Sequence, residues 1–312
     1  MEKLENFFCI LYTFLFMKSS ANTKNKNLTK QKHISILASC GMLLTAAIWG
    51  FAFVVVKDSL NSVPPIYMLA FRFSIASIAI SLIFVKKFML MTKEILLHGI
   101  ILGFFLFASY AFQTIGCQYT TAGKNAFLTA IYVVLIPFFL WALTKHRPNI
   151  KIFLAAFMAI TGIALLSLQK DLSINFGDVL TMICGIGFAL HIIFIAKFNA
   201  TEDAILLTIL QLVFAAIFSW ILAPFLDGDF PLLAFQNQQT IFSMLYLGII
   251  STMFAFFLQN ICQKYTPTTV ASLLLSLESV FGVIFSCIFL GEVLTLRMII
   301  GCFLIFIAIT LA

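Results

Sequence analysis

The chain has 312 residues, of which 62% are apolar and 10% are charged, with a net charge of +7 and a mean hydropathy of +1.10. A soluble domain has about 45–50% apolar and about 25% charged residues, so this composition excludes a soluble protein and indicates an integral membrane protein. Because the basic residues are dispersed in the tail and in short gaps between apolar runs, the positive charge does not indicate nucleic-acid binding.

The first 33 residues form no membrane span in this interpretation. Residues 7–17 are apolar but number only eleven, too few to cross about 30 Å of hydrocarbon. They fit an interfacial segment, a signal-peptide core or a mis-assigned start, and the last is favoured. Residues 18–33 are polar and basic, which is typical of a disordered tail. We therefore expect residues 1–33 to be an N-terminal cytoplasmic tail.

Ten membrane-spanning helices follow the tail. Each apolar run is too long for a barrel strand, which needs only about ten alternating residues. The predicted spans lie near residues 36–56, 65–85, 95–115, 122–142, 150–168, 178–196, 204–225, 240–260, 268–289 and 294–312. The predicted fold class is thus an all-α polytopic membrane protein with ten transmembrane helices.

The distribution of basic residues predicts that both termini are cytoplasmic. With the tail inside, thirteen Lys and Arg residues lie in inside segments: Lys18, Lys24, Lys26, Lys30, Lys32, Lys86, Lys87, Lys93, Lys145, Arg147, Lys151, Lys197 and Lys264. Only four lie in outside segments: Lys57, Lys124, Lys170 and Arg297. An even number of crossings agrees with this arrangement.

The chain contains an internal repeat. Residues 113–139 resemble residues 259–285 at one offset of 146 (265 − 119 = 146), with the matches Gln113/Gln259, Ile115/Ile261, Tyr119/Tyr265, Thr120/Thr266 and Phe139/Phe285. Gly50-Phe51-Ala52 in span one also matches Gly187-Phe188-Ala189 in span six. The halves, residues 34–170 and 171–312, hold five spans each. Because five is odd, the second half must be inverted, as in many transporters.

Several short motifs accompany this repeat: Trp49-Gly50, Arg72, Tyr119-Thr120 with Ala122, Tyr265-Thr266 with Ala271, Leu290-Gly291-Glu292 and Gly301. In this order, over residues 36–312, they resemble the drug/metabolite transporter superfamily, specifically its ten-span EamA-like branch. Two departures are present. Glu278-Ser279 stands where many members have Glu-Pro in span nine, which puts a proline kink there in doubt. Lys145-His146 replaces the Gly-Glu that often follows span four.

The resemblance implies a carrier, often an exporter, of a metabolite or amino acid that works by alternating access, with no cofactor. It also implies a bacterial inner membrane location. The expected partners are a small-molecule solute, the lipid bilayer and coupled protons, with no nucleic acid; a homodimer stays open. The seven scattered cysteines lack CxxC spacing, so neither a disulfide framework nor a metal site is expected. The alternatives are an integral membrane enzyme acting on lipid, although no catalytic motif is present, and a non-transporting scaffold.

Glu278 is the leading candidate for the site because it lies near the middle of span nine. A charge there costs roughly 3 kcal/mol on insertion scales, so a cavity inside the protein is its expected setting. It could bind a cationic group or exchange a proton; a protonated Glu hydrogen-bonded to a neighbouring helix is the alternative. Beside it runs a stripe of small residues suited to close packing: Ser272, Ser276, Ser279, Gly282 and Ser286.

The remaining candidates for substrate binding or coupling are polar or aromatic residues of other spans. Arg72 could bind an anion, pair with a carboxylate or snorkel. His191 could relay protons or bond a backbone carbonyl. Amides can bind polar solutes or cap helices, and Trp49 could stack on a ring or cation. These further candidates are Trp49, Gln113, Asn125, Tyr132, Gln259 and Asn260, with Gln211 weaker; Glu292 and Arg297 are expected to pair near the outer surface.

Overall fold

The computed structural model describes residues 24–145, 147–167 and 174–311, with side chains from residue 34 onward. Ten helical segments run through this part of the chain. They are α1 (Lys24–Ser59), α2 (Pro65–Ile83), α3 (Lys93–Tyr119), α4 (Ala122–Thr144), α5 (Ile150–Ser167), α6 (Phe176–Phe198), α7 (Ala204–Leu226), α8 (Gln238–Gln263), α9 (Thr268–Leu290) and α10 (Leu296–Leu311).

Eight of these helices are long and apolar enough to cross a membrane. The other two, α5 and α10, contain the shorter apolar stretches Ile150–Gly162 and Leu296–Ala308. Together they occupy the ten predicted positions, five in each half of the chain. The predicted fold class, ten helices in two inverted repeats, is therefore confirmed.

The N-terminal tail departs from the prediction in one respect. Helix α1 begins at Lys24, so residues 24–33 are helical and not disordered as predicted. Polar residues such as Lys and Gln have good helix propensity and extend a helix once the apolar part has nucleated it. The predicted apolar segment at residues 7–17 lies outside the described residues.

The helices of one half pack mainly against helices of the other half. Helix α1 packs on α9, α2 on α7, α3 on α6 and α5 on α10. The α1–α9 contact is especially close at Gly50, where an added Cβ would lie 2.9 Å from the Gly282 backbone nitrogen. The interior of the bundle is consequently the interface between the two repeats.

Helices α4 and α9 are both broken, at equivalent places. Helix α4 consists of Ala122–Thr129 and Tyr132–Thr144, and α9 consists of Thr268–Leu275 and Glu278–Leu290. The first and last residues of both halves of α4 each lie 146 positions before the corresponding residues of α9, as the sequence repeat predicts.

The break in α9 needs no proline. At this break Ser276 Oγ donates to the Leu273 carbonyl and Ser279 Oγ donates to the Ser276 carbonyl, each at 2.7 Å. The Ser276 carbonyl also accepts from the Ser279 backbone N–H at 3.0 Å. The serine hydroxyls thereby add donors to backbone carbonyls at the break, where water is not available inside a bilayer. Glu278-Ser279 thus supports a helix break even though the usual Glu-Pro is absent.

The predicted outer end of the bundle is closed by contacts between the repeats. The Glu292 carboxylate accepts hydrogen bonds from the backbone N–H groups of Ala122 and Gly123, at 2.7 and 3.1 Å. Lys124 Nζ lies 2.8 Å from Asp178 Oδ2. The expected Glu292–Arg297 pair is therefore wrong. The four N-terminal N–H groups of a helix lack partners within it, and the start of α4 offers two of them to Glu292.

We predict that Gly50→Ala lowers the free energy of unfolding by about 1–3 kcal/mol, because an overpacked contact must shift backbone. At an exposed position of a helix, replacing Gly by Ala instead raises the free energy of unfolding by up to about 1 kcal/mol, because Ala has the higher helix propensity. Unfolding of the purified protein in detergent measures the effect. The control is Ser35→Ala, at an exposed position of the same helix, which should change little. An unchanged or higher stability of Gly50→Ala contradicts the close packing.

Candidate functional site

A cavity with about 570 Å³ of empty space, open solvent included, lies between the two repeats. Its wall contains both polar and aromatic side chains from helices of both halves. The lining residues are Trp49, Ala52, Phe53, Val56, Arg72, Tyr110, Gln113, Asn125, Tyr132, Phe188, His191, Ile192, Phe256, Gln259 and Glu278. Eight of the nine site candidates from the sequence are thus gathered around one space.

Asn260 is the candidate that does not line the cavity. It is fully buried, its amide nitrogen donates to the Phe256 carbonyl at 3.0 Å, and its backbone carbonyl accepts from Asn199. Gln259 faces the cavity instead, since consecutive residues point about 100° apart around a helix. Asn260 therefore has a structural position between α8 and the end of α6.

Glu278 begins the second half of broken helix α9 and is 5% exposed. Tyr132 begins the second half of α4, at the equivalent position of the other repeat, and lies beside the Glu278 carboxyl. The Tyr132 hydroxyl is buried at this contact. The two helix breaks thus bring one acid and one phenol together at the centre of the bundle.

The predicted stripe of small residues lies buried along α9, with Ser272, Ser276, Ser279 and Ser286 all at zero exposure. Gly282 in the same stripe would place an added Cβ 2.6 Å from the Ala126 Cβ of α4. Small residues let helix backbones approach closely in a membrane. The stripe therefore brings α9 near α1 and α4 and places Glu278 at the cavity.

Arg72 is 1% exposed, and its guanidinium is held by side chains of α8. Its Nε donates to Thr252 Oγ1 at 3.0 Å, and its Nη2 donates to Ser251 Oγ at 3.3 Å. The guanidinium carbon lies 4.5 Å from the centre of the Tyr110 ring, close enough for a cation–π contact. Because it is buried, Arg72 does not snorkel to the membrane surface.

The residues that bind the Arg72 guanidinium belong to an irregular segment of α8. Residues Tyr246–Phe254 form a π-helix, a rare form that is often found at functional sites. The Trp49 indole N–H donates to the Ser251 carbonyl at 2.9 Å, and the Tyr246 hydroxyl donates to the Ile48 carbonyl at 2.9 Å. Helix α1 thereby holds the π-helix against α2, where Ser251 and Thr252 reach Arg72.

On the opposite wall, side-chain hydrogen bonds orient the Asn125 amide. Its nitrogen donates to the Gln113 carbonyl at 3.1 Å and to Thr181 Oγ1 at 2.8 Å. Its oxygen is buried without a hydrogen-bond partner in the described part of the chain. Both amide protons are used, so Asn125 presents a free acceptor at the cavity.

His191 bonds a side chain and not a backbone carbonyl. Its Nε2 lies 2.9 Å from the Gln211 Oε1 of α7, and both residues are buried. Gln211, the weaker candidate from the sequence, therefore lies behind the cavity wall and orients His191. Its spacing in the sequence carried no signal of that contact, because the two residues belong to different helices.

Seven lining residues are not among the sequence candidates, and Tyr110 and Phe256 are two of them. Tyr110 packs its ring against Phe256 at a centroid distance of 6.1 Å, and Phe256 lies 5.1 Å from the Trp49 ring. Tyr110 precedes Gln113 by three positions, so both residues occupy one helical face. That spacing was the available signal for Tyr110, whereas nothing distinguished Phe256 among 37 phenylalanines.

Comparisons with known proteins agree with this architecture. Residues 36–168 and 175–312 each match the EamA-like transporter family. An "Uncharacterized transporter" of Archaeoglobus fulgidus is 33% identical over 274 residues, covering 88% of this chain and 85% of that protein. "Uncharacterized transporter YoaV" of Bacillus subtilis is 23% identical over 288 residues, covering 85% and 92%. One crystal structure has a TM-score of 0.66 at 16% identity, covering 88% and 96%, which shows a shared fold.

We predict that Trp49→Phe lowers the free energy of unfolding by about 0.5–1.5 kcal/mol. Phenylalanine keeps an aromatic ring but removes the indole N–H that donates to the Ser251 carbonyl, and the loss of one hydrogen bond costs about that much. Unfolding in detergent measures the change. The control is Trp141→Phe at the end of α4, where the indole contacts Phe153. Equal effects of both substitutions contradict a role of Trp49 in supporting the π-helix.

Proposed function

Because the chain belongs to the EamA-like transporter family, we propose that it is a secondary transporter that exports a small metabolite or amino acid by alternating access. The observation that carries the proposal is the central cavity between the repeats, which holds both Arg72 and Glu278 within an apolar bundle. Intramembrane ionisable residues mark solute or ion pathways more often than structural sites. A site at a repeat interface is also where such carriers bind solute.

The contacts between the repeats support alternating access. At the predicted outer end, Lys57 Nζ donates to the carbonyls of Cys117 and Thr120, both at 2.7 Å, in addition to the Glu292 and Lys124–Asp178 contacts. At the other end, Lys87 pairs with Asp203 at 2.6 Å, and His98 pairs with Glu202. Release of solute at either end requires the contacts of that end to break while those of the other hold.

Glu278 is our proposed coupling residue. A buried carboxylate can be neutralised either by a proton or by a cationic group of the solute. The proton and the solute therefore compete for Glu278. Entry of a proton would then displace the solute, which couples export to proton influx. The breaks at Ser276–Leu277 and at Ala130–Ile131 would let the halves of α9 and α4 tilt during the exchange.

We place the protein in the bacterial inner membrane with both termini cytoplasmic. The bias of Lys and Arg toward one set of loops supports this orientation. In it, the Asp227–Asp229 loop faces outward and the Lys86–Lys87 segment faces the cytoplasm. The direction of export then runs from the Lys87–Asp203 end toward the Glu292 end.

We predict that proteoliposomes containing the wild-type protein accumulate a labelled amino acid or small metabolite when a proton gradient is imposed. Glu278→Gln should abolish the gradient dependence, because the amide can neither bind a proton nor attract a cation at neutral pH. A screen of labelled solutes, with and without the gradient, is the measurement.

The matched control is Glu94→Gln, which removes the same charge at an exposed position of α3. It should leave the flux unchanged. Flux that is independent of the gradient and insensitive to Glu278→Gln rejects proton coupling. Chemical conversion of a lipid without solute flux would instead favour a membrane enzyme. The absence of both solute flux and lipid conversion would favour a scaffold.

The proposed orientation makes a separate prediction in a variant whose native cysteines are replaced. A membrane-impermeant maleimide added to intact cells should label Asp229→Cys, because the loop after α7 faces outward. It should label Lys86→Cys only after the cells are lysed. Both positions are exposed, so accessibility differs only by side of the membrane. The reverse labelling pattern overturns the orientation without affecting the proposed transport.

A further inference from the structure

Arg72 is a buried cation without a neighbouring carboxylate. The ion pairs of the described residues are Lys87–Asp203, His98–Glu202 and Lys124–Asp178. Arg72 instead bonds two hydroxyl oxygens and contacts the Tyr110 ring. A guanidinium carries five N–H donors, so the two hydroxyl bonds leave donors for another group. A desolvated cation that lines a cavity is a site for an anionic group, which would form charge-assisted hydrogen bonds with it.

Close packing of α2 on α8 and two hydrogen bonds hold Arg72 in its position. Gly248 of the π-helix lies so close to α2 that an added Cβ would lie 2.7 Å from the Ile75 Cβ and 3.3 Å from the Arg72 carbonyl. The Thr252 and Ser251 hydroxyls then hold the guanidinium from α8. An anion at Arg72 would therefore bind a preorganised site.

The Glu278 side of the cavity has the opposite character. Two buried amide oxygens lack hydrogen-bond partners in the described residues and line the same space: Asn125 Oδ1 and Gln259 Oε1. With the Glu278 carboxylate they form a group rich in acceptors. Unsatisfied buried acceptors are costly, so a solute group with several N–H donors and a positive charge would satisfy this side.

Both sides belong to one cavity, since Glu278, Arg72 and the Tyr110 ring that contacts Arg72 all line it. A solute that is only an anion would leave Glu278 without a partner, and a solute that is only a cation would leave Arg72 without one. The wall of the same cavity also contains the aromatic side chains Trp49, Phe188 and Phe256. The cavity thus combines one basic group, one acidic group and an aromatic surface.

We propose that the transported solute is a zwitterion whose anionic group binds Arg72 and whose cationic group binds Glu278, Asn125 and Gln259. This assignment rests on the proposed transport function and specifies its substrate class. It also gives the solute one fixed direction in the cavity. The apolar body of the solute would contact the aromatic wall.

Binding to the purified protein in detergent tests the assignment without requiring transport. The probes are the twenty standard amino acids, and the readout is the affinity obtained from ligand-dependent shifts of the unfolding temperature. For each amino acid that binds, the primary amide removes the negative charge and the N-acetyl form removes the positive charge. Each derivative should bind the wild-type protein about ten- to a hundredfold more weakly, as the loss of a charged hydrogen bond implies.

Two variants assign the ends of the solute. Arg72→Gln should weaken binding of the amino acid and remove the difference in affinity between the amino acid and its amide. The N-acetyl form should still bind more weakly than either. Glu278→Gln should instead remove the difference between the amino acid and its N-acetyl form. Lys93→Gln and Glu94→Gln, which neutralise exposed charges at the start of α3, are the controls and should leave all affinities unchanged.

The proposal is overturned if no amino acid shifts the wild-type unfolding temperature, or if the derivatives bind as tightly as the parent compounds. It is also overturned if Arg72→Gln and Glu278→Gln each reduce the binding affinity of all probes by the same factor. Selective binding without flux in proteoliposomes would reject transport and retain the zwitterion site. Flux of a solute that carries one charge or none would reject the zwitterion site and retain transport.

Discussion

The architecture depends on the burial of two ionisable side chains, Arg72 and Glu278, in a bundle whose buried side chains are mostly apolar. Neither is paired with the other or with any other ionised side chain in the described residues. Each is therefore placed by local structure: hydroxyls of a π-helix hold Arg72, and a serine-supported helix break positions Glu278. Close helix packing through small residues makes these placements possible, because it brings irregular segments together away from lipid.

The two repeats share a backbone plan but differ in chemistry at equivalent positions. Tyr132 and Glu278 follow equivalent helix breaks, yet only one of them can carry a negative charge at neutral pH. The ends differ as well. Glu292 after α9 caps the start of α4, whereas the sequence has His146 at the equivalent position after α4. The two ends of the bundle are therefore joined by different contacts.

Much of the candidate site could be predicted, because a polar side chain inside an apolar span is conspicuous. Glu278, Arg72 and His191 stand out by charge alone, and all three reach the cavity. Asn260 shows the limit of that reasoning, since its polarity matches that of Gln259 while its direction around α8 differs. The partner of Glu292 was mistaken for a similar reason. A sequence pattern favours the nearby Arg297, but the carboxylate reaches backbone N–H groups of another helix.

The sequence by itself determined the membrane class, the ten spans, the repeat offset of 146 residues and most polar residues of the cavity. These features follow from composition and periodicity, which act locally along the chain. Only the tertiary structure decided that Arg72 has hydroxyl partners and that the π-helix of α8 provides them. It also decided that two amide oxygens of the cavity, those of Asn125 and Gln259, lack hydrogen-bond partners in the described residues. Those outcomes depend on how helices distant in sequence face one another, and hydropathy carries no information about rotation around a helix axis.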